Sequence, residues 1–293
     1  MVTSALAEVP PRQNPARLTN RMMVEICVPA EAGTKTGPVH KAIRLVPACE
    51  ESFRCANIRA SMERGLPEIV REDFHSRLAV IVGYGPSLLK TWQEIPEIPE
   101  PHDIFTVSGA HSFLVERGVR VYGHSECDPR EHKAGLLTKT DPQTRFFLAS
   151  RCHATLFERL AGHDIRLIHT GRGEVEAKQV RAINPPAEIV SPASMVGLQT
   201  VMLGFWLGYR RFRFYGLDCS FDPAAPTQHA GAHPHKGDAI PVEIGGRSFT
   251  TTMSMICSFT DFFNIAIQHP MGTFDLRGDG MLQWGERVSR GAA

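Results

Sequence analysis

Five apolar residues in succession, Leu78 to Val82, run straight into Gly83-Tyr84-Gly85-Pro86-Ser87-Leu88. An unbroken apolar run of that length, ended by glycine, reads as a strand buried on both faces, the kind found in parallel sheets. Gly83 and Gly85 have no Cβ, so the turn between them can bring main chain close to another group. Pro86 suits the first position of a helix, and Ser87 with the amides after it offers donors where the helix dipole favours negative charge. The expectation is a seat for nucleotide phosphates built from Gly83, Tyr84, Gly85, Pro86 and Ser87, set against the plain alternative of a tight connection. A dinucleotide fingerprint would need a third glycine and a Walker loop a Gly-Lys-Ser/Thr ending, and the sequence has neither.

Around that stretch, short apolar runs alternate with helical ones. Asp103 to Ser108 is expected as a second strand, followed by a helix over 109–116 that stops at Gly118, and Val119 to Tyr122 as a third strand whose chain continues to Asp128-Pro129. Phe146 to Ala149, Ile165 to His169 and Glu188 to Val190 follow as strands, with a helix beginning near His153. This alternation predicts an α/β, Rossmann-like, mainly parallel sheet with helices on both faces. Ligands in such sheets sit beyond the carboxyl ends of the strands, where Gly83, Ser108, Asp128, Ser191 and Asp218 all fall. The expected organisation is a variable leader over 1–50, a helical preamble over 51–77 and a nucleotide-binding domain over 78–290.

The second half adds three signals. Ser194-Met195-Val196-Gly197-Leu198 opens a helix to about Leu207, with Ser194 placed to cap it or to present amides to an anion, and Gly197 allowing close packing. Arg211 to Asp218 alternates as a strand with a carboxylate at its tip. Past it, His229, His233 and His235 stand within seven residues on a loop. Imidazole titrates near working pH, which makes His233, between Gly231 and Pro234, a candidate proton-transfer group.

Charge narrows the partners. Lys plus Arg total 32 against 31 Asp plus Glu, so a net charge of +1 gives no global attraction to nucleic acid or to an anionic membrane, and any anion site must be local. The seven cysteines are scattered singly, without a Cys-x-x-Cys pair, as expected of reduced thiols in a cytoplasmic protein. No stretch reaches the ~18 apolar residues of a membrane span.

The order of these motifs resembles the MptE-like family. The Gly-x-Gly-Pro-Ser-Leu turn at 83–88, Asp128-Pro129, Ser194 to Leu198, Tyr215-Gly216-Leu217-Asp218 and the histidine loop carry the resemblance, which runs from about 53 to 285. The family takes its name from an archaeal 6-hydroxymethylpterin diphosphokinase and includes bacterial proteins associated with flagellin and surface-sugar modification. The first turn is also remotely similar to that of bacterial sialyltransferases that bind CMP-sugars, although Tyr84 and Ser108-Gly109 stand where those enzymes carry asparagine. The resemblance implies a nucleotide-dependent transferase passing diphosphate from ATP to a pterin-like or other hydroxyl. Glycosyl transfer from a nucleotide sugar is the alternative, and a non-catalytic nucleotide binder the third reading. Contacts to the nucleotide are expected from residues 83–87, Ser108, Ser194 and Gly197. Asp128 and Asp218 are expected to share Mg2+ and, with His233, to take part in catalysis, since a diphosphate-bound ion wants hard oxygen ligands.

Overall fold

The computed structural model describes residues 49–171, 174–224, 227, 229–231 and 239–291. Residues 1–48 of the expected leader therefore lie outside the described residues. The described chain opens with helix α1 (Glu51–Met62), then strand β1 (Leu78–Val82), the four-residue α2 (Leu88–Thr91), β2 (His102–Val107), α3 (Ala110–Val115) and β3 (Gly123–Glu126). It continues through β4 (Arg145–Ala149), α4 (Ala154–Arg159), β5 (Asp164–Thr170), α5 (Glu174–Ile183), β6 (Ile189–Val190), α6 (Val196–Trp206) and β7 (Arg211–Tyr215). A hairpin of β8 (Ile240–Ile244) and β9 (Arg247–Thr251) precedes α7 (Met253–Gln268), β10 (Thr273–Leu276) and α8 (Met281–Ser289).

Eight strands form one sheet in the order β10-β7-β1-β2-β3-β4-β5-β6, and every pairing in it is parallel. The expected α/β architecture is what the chain adopts. β1 is central and shows why both faces must be covered. Its Ala79 and Ile81 join the core that includes α6, α7 and α8, while Leu78, Val80 and Val82 join a second core with residues of α2 and α3. All five are at most 3% exposed, so a polar residue at any of them would lie in an apolar layer.

The third strand sits four residues later than its apolar signal. β3 is Gly-His-Ser-Glu, polar yet buried throughout. The polar core is held by Thr106, whose Oγ1 lies 3.2 Å from His111 Nδ1 and 3.1 Å from His124 Nδ1. Burial without charge holds His111 down at about 4 and His124 well below the ordinary imidazole value. Val119 to Tyr122 serves as the lead-in, with the Tyr122 amide donating to Ile104 O at 3.0 Å.

Chain order places the ligand edge. From β1 the strands step outward to β6, and the chain then returns to lay β7 and β10 on the other side of β1. The winding reverses between β1 and β7, which is where open parallel sheets leave a crevice. Farther along the same edge α1 acts as a cover. Asn57 Nδ2 donates to the carbonyls of Pro129 and Arg151 at 3.3 and 3.0 Å, and Ser61 Oγ to that of Ser150 at 2.6 Å. These carbonyls follow β3 and β4, so α1 caps that side while the β1/β7 side carries the cleft.

Candidate active site at the β1 and β7 tips

The loop after β1 and the loop after β7 are stitched together. The Gly83 amide donates to Tyr215 O and the Gly85 amide to Gly216 O, each at 2.8 Å. Gly216 adopts φ 62, a left-handed conformation that glycine takes without penalty, and a Cβ there would lie 2.4 Å from Gly83 O. At Gly85 a Cβ would lie 2.5 Å from Asp218 Oδ2 and 2.6 Å from Gly216 O. The glycines are therefore required by the approach of the β7 loop, and their amides are already committed.

Ser87 completes the stitch. Its amide donates to Asp218 Oδ2 at 2.8 Å and its hydroxyl to Oδ1 at 2.5 Å. This corrects the expectation of an open phosphate seat: a carboxylate of the protein itself occupies the donors of Ser87, and a phosphate placed there would meet like charge. The anion that the Ser87 donors hold is Asp218.

Asp218 is 4% exposed. Burial penalises its charge more than the two Ser87 bonds favour it, and Asp222 and Asp279 add like charge, so its carboxyl is pushed up to about 6. A carboxyl that titrates there can both give and take a proton near neutral pH. Of the roughly four lone-pair positions on a carboxylate, Ser87 uses two and leaves acceptor capacity over.

Asp218 forms part of the wall of a crevice of ≈ 590 Å³ together with Ser87, Asp222, Lys90, Arg277 and Arg287. The adjoining wall is the Gly278-Asp279-Gly280 turn between β10 and α8. It packs so closely that a Cβ at Gly280 would come 2.6 Å from Asp218 Cα, and the Leu282 amide donates to Asp218 O at 3.0 Å. Sequence reasoning missed this wall. Its signal was present as a strand ending in a Gly-x-Gly turn, the same pattern that marked β1.

The other expected site residues fall elsewhere. β3 and β7 are separated by β1 and β2, about 14 Å at ~4.8 Å per strand spacing. Asp128 and Asp218 therefore cannot share an ion whose oxygen ligands stand ~2 Å away. Among the described residues no three His, Cys, Asp or Glu side chains converge to hold a metal, so the residues present do not fit the Mg2+ site expected of that pair. Asp128 instead accepts from Arg130 Nε at 2.9 Å and Nη2 at 2.5 Å, with Lys133 Nζ 3.5 Å away. Burial works against its charge, but Arg130 and Lys133 outweigh burial and hold the carboxyl down at about 2. Ser108 joins this second cluster, with its Oγ 3.5 Å from Lys133 Nζ.

Ser194 is not the cap of α6. That position is Met195, while the Ser194 amide donates to Asp261 Oδ2 of α7 at 2.6 Å and its hydroxyl to Ser258 Oγ at 3.3 Å. Gly197 is taken up by Leu217, whose Cδ2 would stand 2.6 Å from a Cβ there, so it admits side chain rather than ligand. The Tyr84 carbonyl accepts from the Ala230 amide at 2.8 Å, and its ring stacks on His229 with centroids 6.1 Å apart. His233 and His235 lie outside the described residues.

Two non-glycine residues among those described have left-handed backbone, Ser108 at φ 49 and Cys219 at φ 53. They stand at the tips of β2 and β7, on either side of β1. Such strained positions gather at functional sites, where the surrounding structure over-determines them.

The family model described as 6-hydroxymethylpterin diphosphokinase MptE-like matches residues 55–223. The chain belongs to the MptE-like family. The matched span carries β1, β7, Ser87 and Asp218, whereas β10, α8 and the Gly278 to Gly280 wall follow it. Among solved structures, the MAf glycosyltransferase from Magnetospirillum magneticum AMB-1 superposes with a TM-score of 0.58 at 12% identity, over 82% of this chain and 41% of that one. The likeness is one of fold, and this chain spans less than half of that protein's length. No match is found among curated proteins. The family supports a transferase-type function. Among the described residues no helix is long and apolar enough to cross a membrane.

Proposed function

We propose that this MptE-like chain transfers a glycosyl group from a nucleotide sugar to a hydroxyl acceptor, with Asp218 as the proton-transfer group. The observation that carries this reading is the Asp218 carboxyl itself: buried, oriented through both oxygens by Ser87, raised to about 6 and facing the crevice at the β1/β7 reversal. As the acceptor oxygen bonds to the anomeric carbon, the bond from that carbon to the donor phosphate oxygen breaks and its electron pair leaves with the nucleotide. The ionised Asp218 takes the acceptor's hydroxyl proton. Proton transfer of this kind is worth 10²- to 10⁴-fold in rate. Lys90, Arg277 and Arg287 face the same space and offset the charge that develops on the departing phosphate.

This chemistry needs one well-placed carboxyl and no carboxylate pair. Diphosphate transfer from ATP to a pterin-like alcohol is the second reading, favoured by the description of the family, and would use Asp218 as base in the same way. Thermal-shift measurements with ATP, CMP-sugars and UDP-sugars, each with and without Mg2+, separate the two. Stabilisation by a nucleotide sugar irrespective of Mg2+ is expected, and stabilisation by ATP alone contradicts it. Donor binding without turnover on any hydroxyl acceptor would make the chain a non-catalytic binder.

A further inference from the structure

The β1 loop has two sides. Pro86, Ser87 and Lys90 face the Asp218 crevice, while Tyr84 and Leu89 face a second cleft of ≈ 380 Å³ at the tips of β1 and β2. The loop is thus a partition between two hollows on the ligand edge.

The second cleft has a floor and wall of ring and apolar faces. Phe113 and Tyr84 meet edge to face with centroids 6.3 Å apart, and Leu89, 48% exposed, lines the space with them. The Arg117 guanidinium lies 3.5 Å over the Phe113 ring, pinned there as its Nη1 donates to Phe113 O at 2.8 Å. Tyr84 is fixed from behind: its main chain is bonded to Ala230, and its ring packs so closely on Gly109 that a Cβ there would come 2.6 Å from Cε1. Glu116 and Arg117 stand at the cleft with an acceptor and donors side by side. Flat apolar faces with paired polar groups at the edge suit a planar heteroaromatic ring, which stacks by its face and is read along its rim. The volume lies at the lower end for small-molecule sites, right for a nucleoside and too small for a whole nucleotide sugar.

We propose that this cleft holds the base of the donor nucleotide, so that the donor straddles the β1 loop with its ring laid on the wall of Tyr84, Leu89 and Arg117 and its transferred group beside Asp218. The inference rests on the nucleotide-dependent reading above and adds where the base lies. It also gives the Tyr84 side chain a part in binding that the Gly-x-Gly pattern alone did not assign.

Calorimetry with the nucleotide found to bind the wild type, and with its nucleoside lacking phosphates, tests the placement. Leu89→Glu puts a charge into the cleft from an exposed position, and Arg117→Ala removes the edge donors; thermal melts report whether each stays folded. Affinity for both nucleotide and nucleoside is expected to fall at least tenfold in Leu89→Glu and severalfold in Arg117→Ala. Lys90→Ala, on the other side of the partition, should leave nucleoside affinity unchanged. Wild-type affinities in folded Leu89→Glu and Arg117→Ala overturn this placement and leave the donor-dependent reading standing. Failure of the wild type to bind any nucleotide or nucleotide sugar overturns both.

Discussion

Two aspartates stand just past strand ends on the same edge of one sheet, and their surroundings drive them in opposite directions. Asp218, after β7, is bonded by the neutral donors of Ser87 and is pushed up to about 6. Asp128, after β3, is bonded by Arg130 with Lys133 nearby and is held down at about 2. Topology brings a carboxylate to the ligand edge; the charge of its partners decides whether it can move a proton or serves as an anchor.

The sharpest way to break that contrast is Asp218→Asn. Asparagine keeps the shape and can still accept from the Ser87 amide, so the fold should persist while turnover falls about 10²- to 10⁴-fold. Stability should move the other way. The folded-state pKa of Asp218 lies above its unfolded value, so its contribution is fully present below about pH 4 and is lost as pH rises through about 6, at most ~3 kcal/mol. Melting curves at pH 8 should therefore show Asp218→Asn no less stable than wild type. A lower melting temperature at pH 8 would mean that the buried charge is not a cost.

Gly85→Ala sharpens the comparison from the backbone side. Its Cβ would press on Asp218 Oδ2 and Gly216 O, and the strain should cost ~1–3 kcal/mol in urea unfolding together with much of the activity. An unchanged midpoint would show that the stitch is loose. On the other flank, the pKa of Asp128 is depressed, so its contribution is present above about pH 4 and is lost as pH falls through about 2. Asp128→Asn is expected to lower stability at pH 7 by up to ~2 kcal/mol and to leave the turnover rate within a few-fold. Smallest of all, Ser194→Ala removes one hydroxyl contact to Ser258 and keeps the amide bond to Asp261, a loss of ~1 kcal/mol or less with unchanged turnover.

The fold was legible where burial wrote itself into hydrophobic runs. β1, β2 and β4 announce themselves that way, β7 by its alternation, and α6 by its length of apolar sequence bounded by Gly208. β3 escaped because its Gly-His-Ser-Glu is buried with His124 bonded to Thr106 of β2 and its ring edge-on to His111 of α3, which no local pattern shows. The β8–β9 hairpin went unread, although Gly245-Gly246, both with positive φ, stands between alternating segments. At the site, the sequence marked the Gly83 to Ser87 turn and Asp218 separately. That the second fills the first depends on the chain returning, over a sequence separation of 131, to lay β7 beside β1, which only tertiary structure supplies.

The central claim is that the Asp218 carboxyl, in contrast to that of Asp128, titrates within reach of neutral pH. Carbon-13 NMR of the aspartate carboxyl groups, with the Asp218 resonance assigned by its loss in Asp218→Asn, measures this directly. A titration near pH 6 is the predicted result. A midpoint at or below the ordinary aspartate value of about 4 would contradict the account.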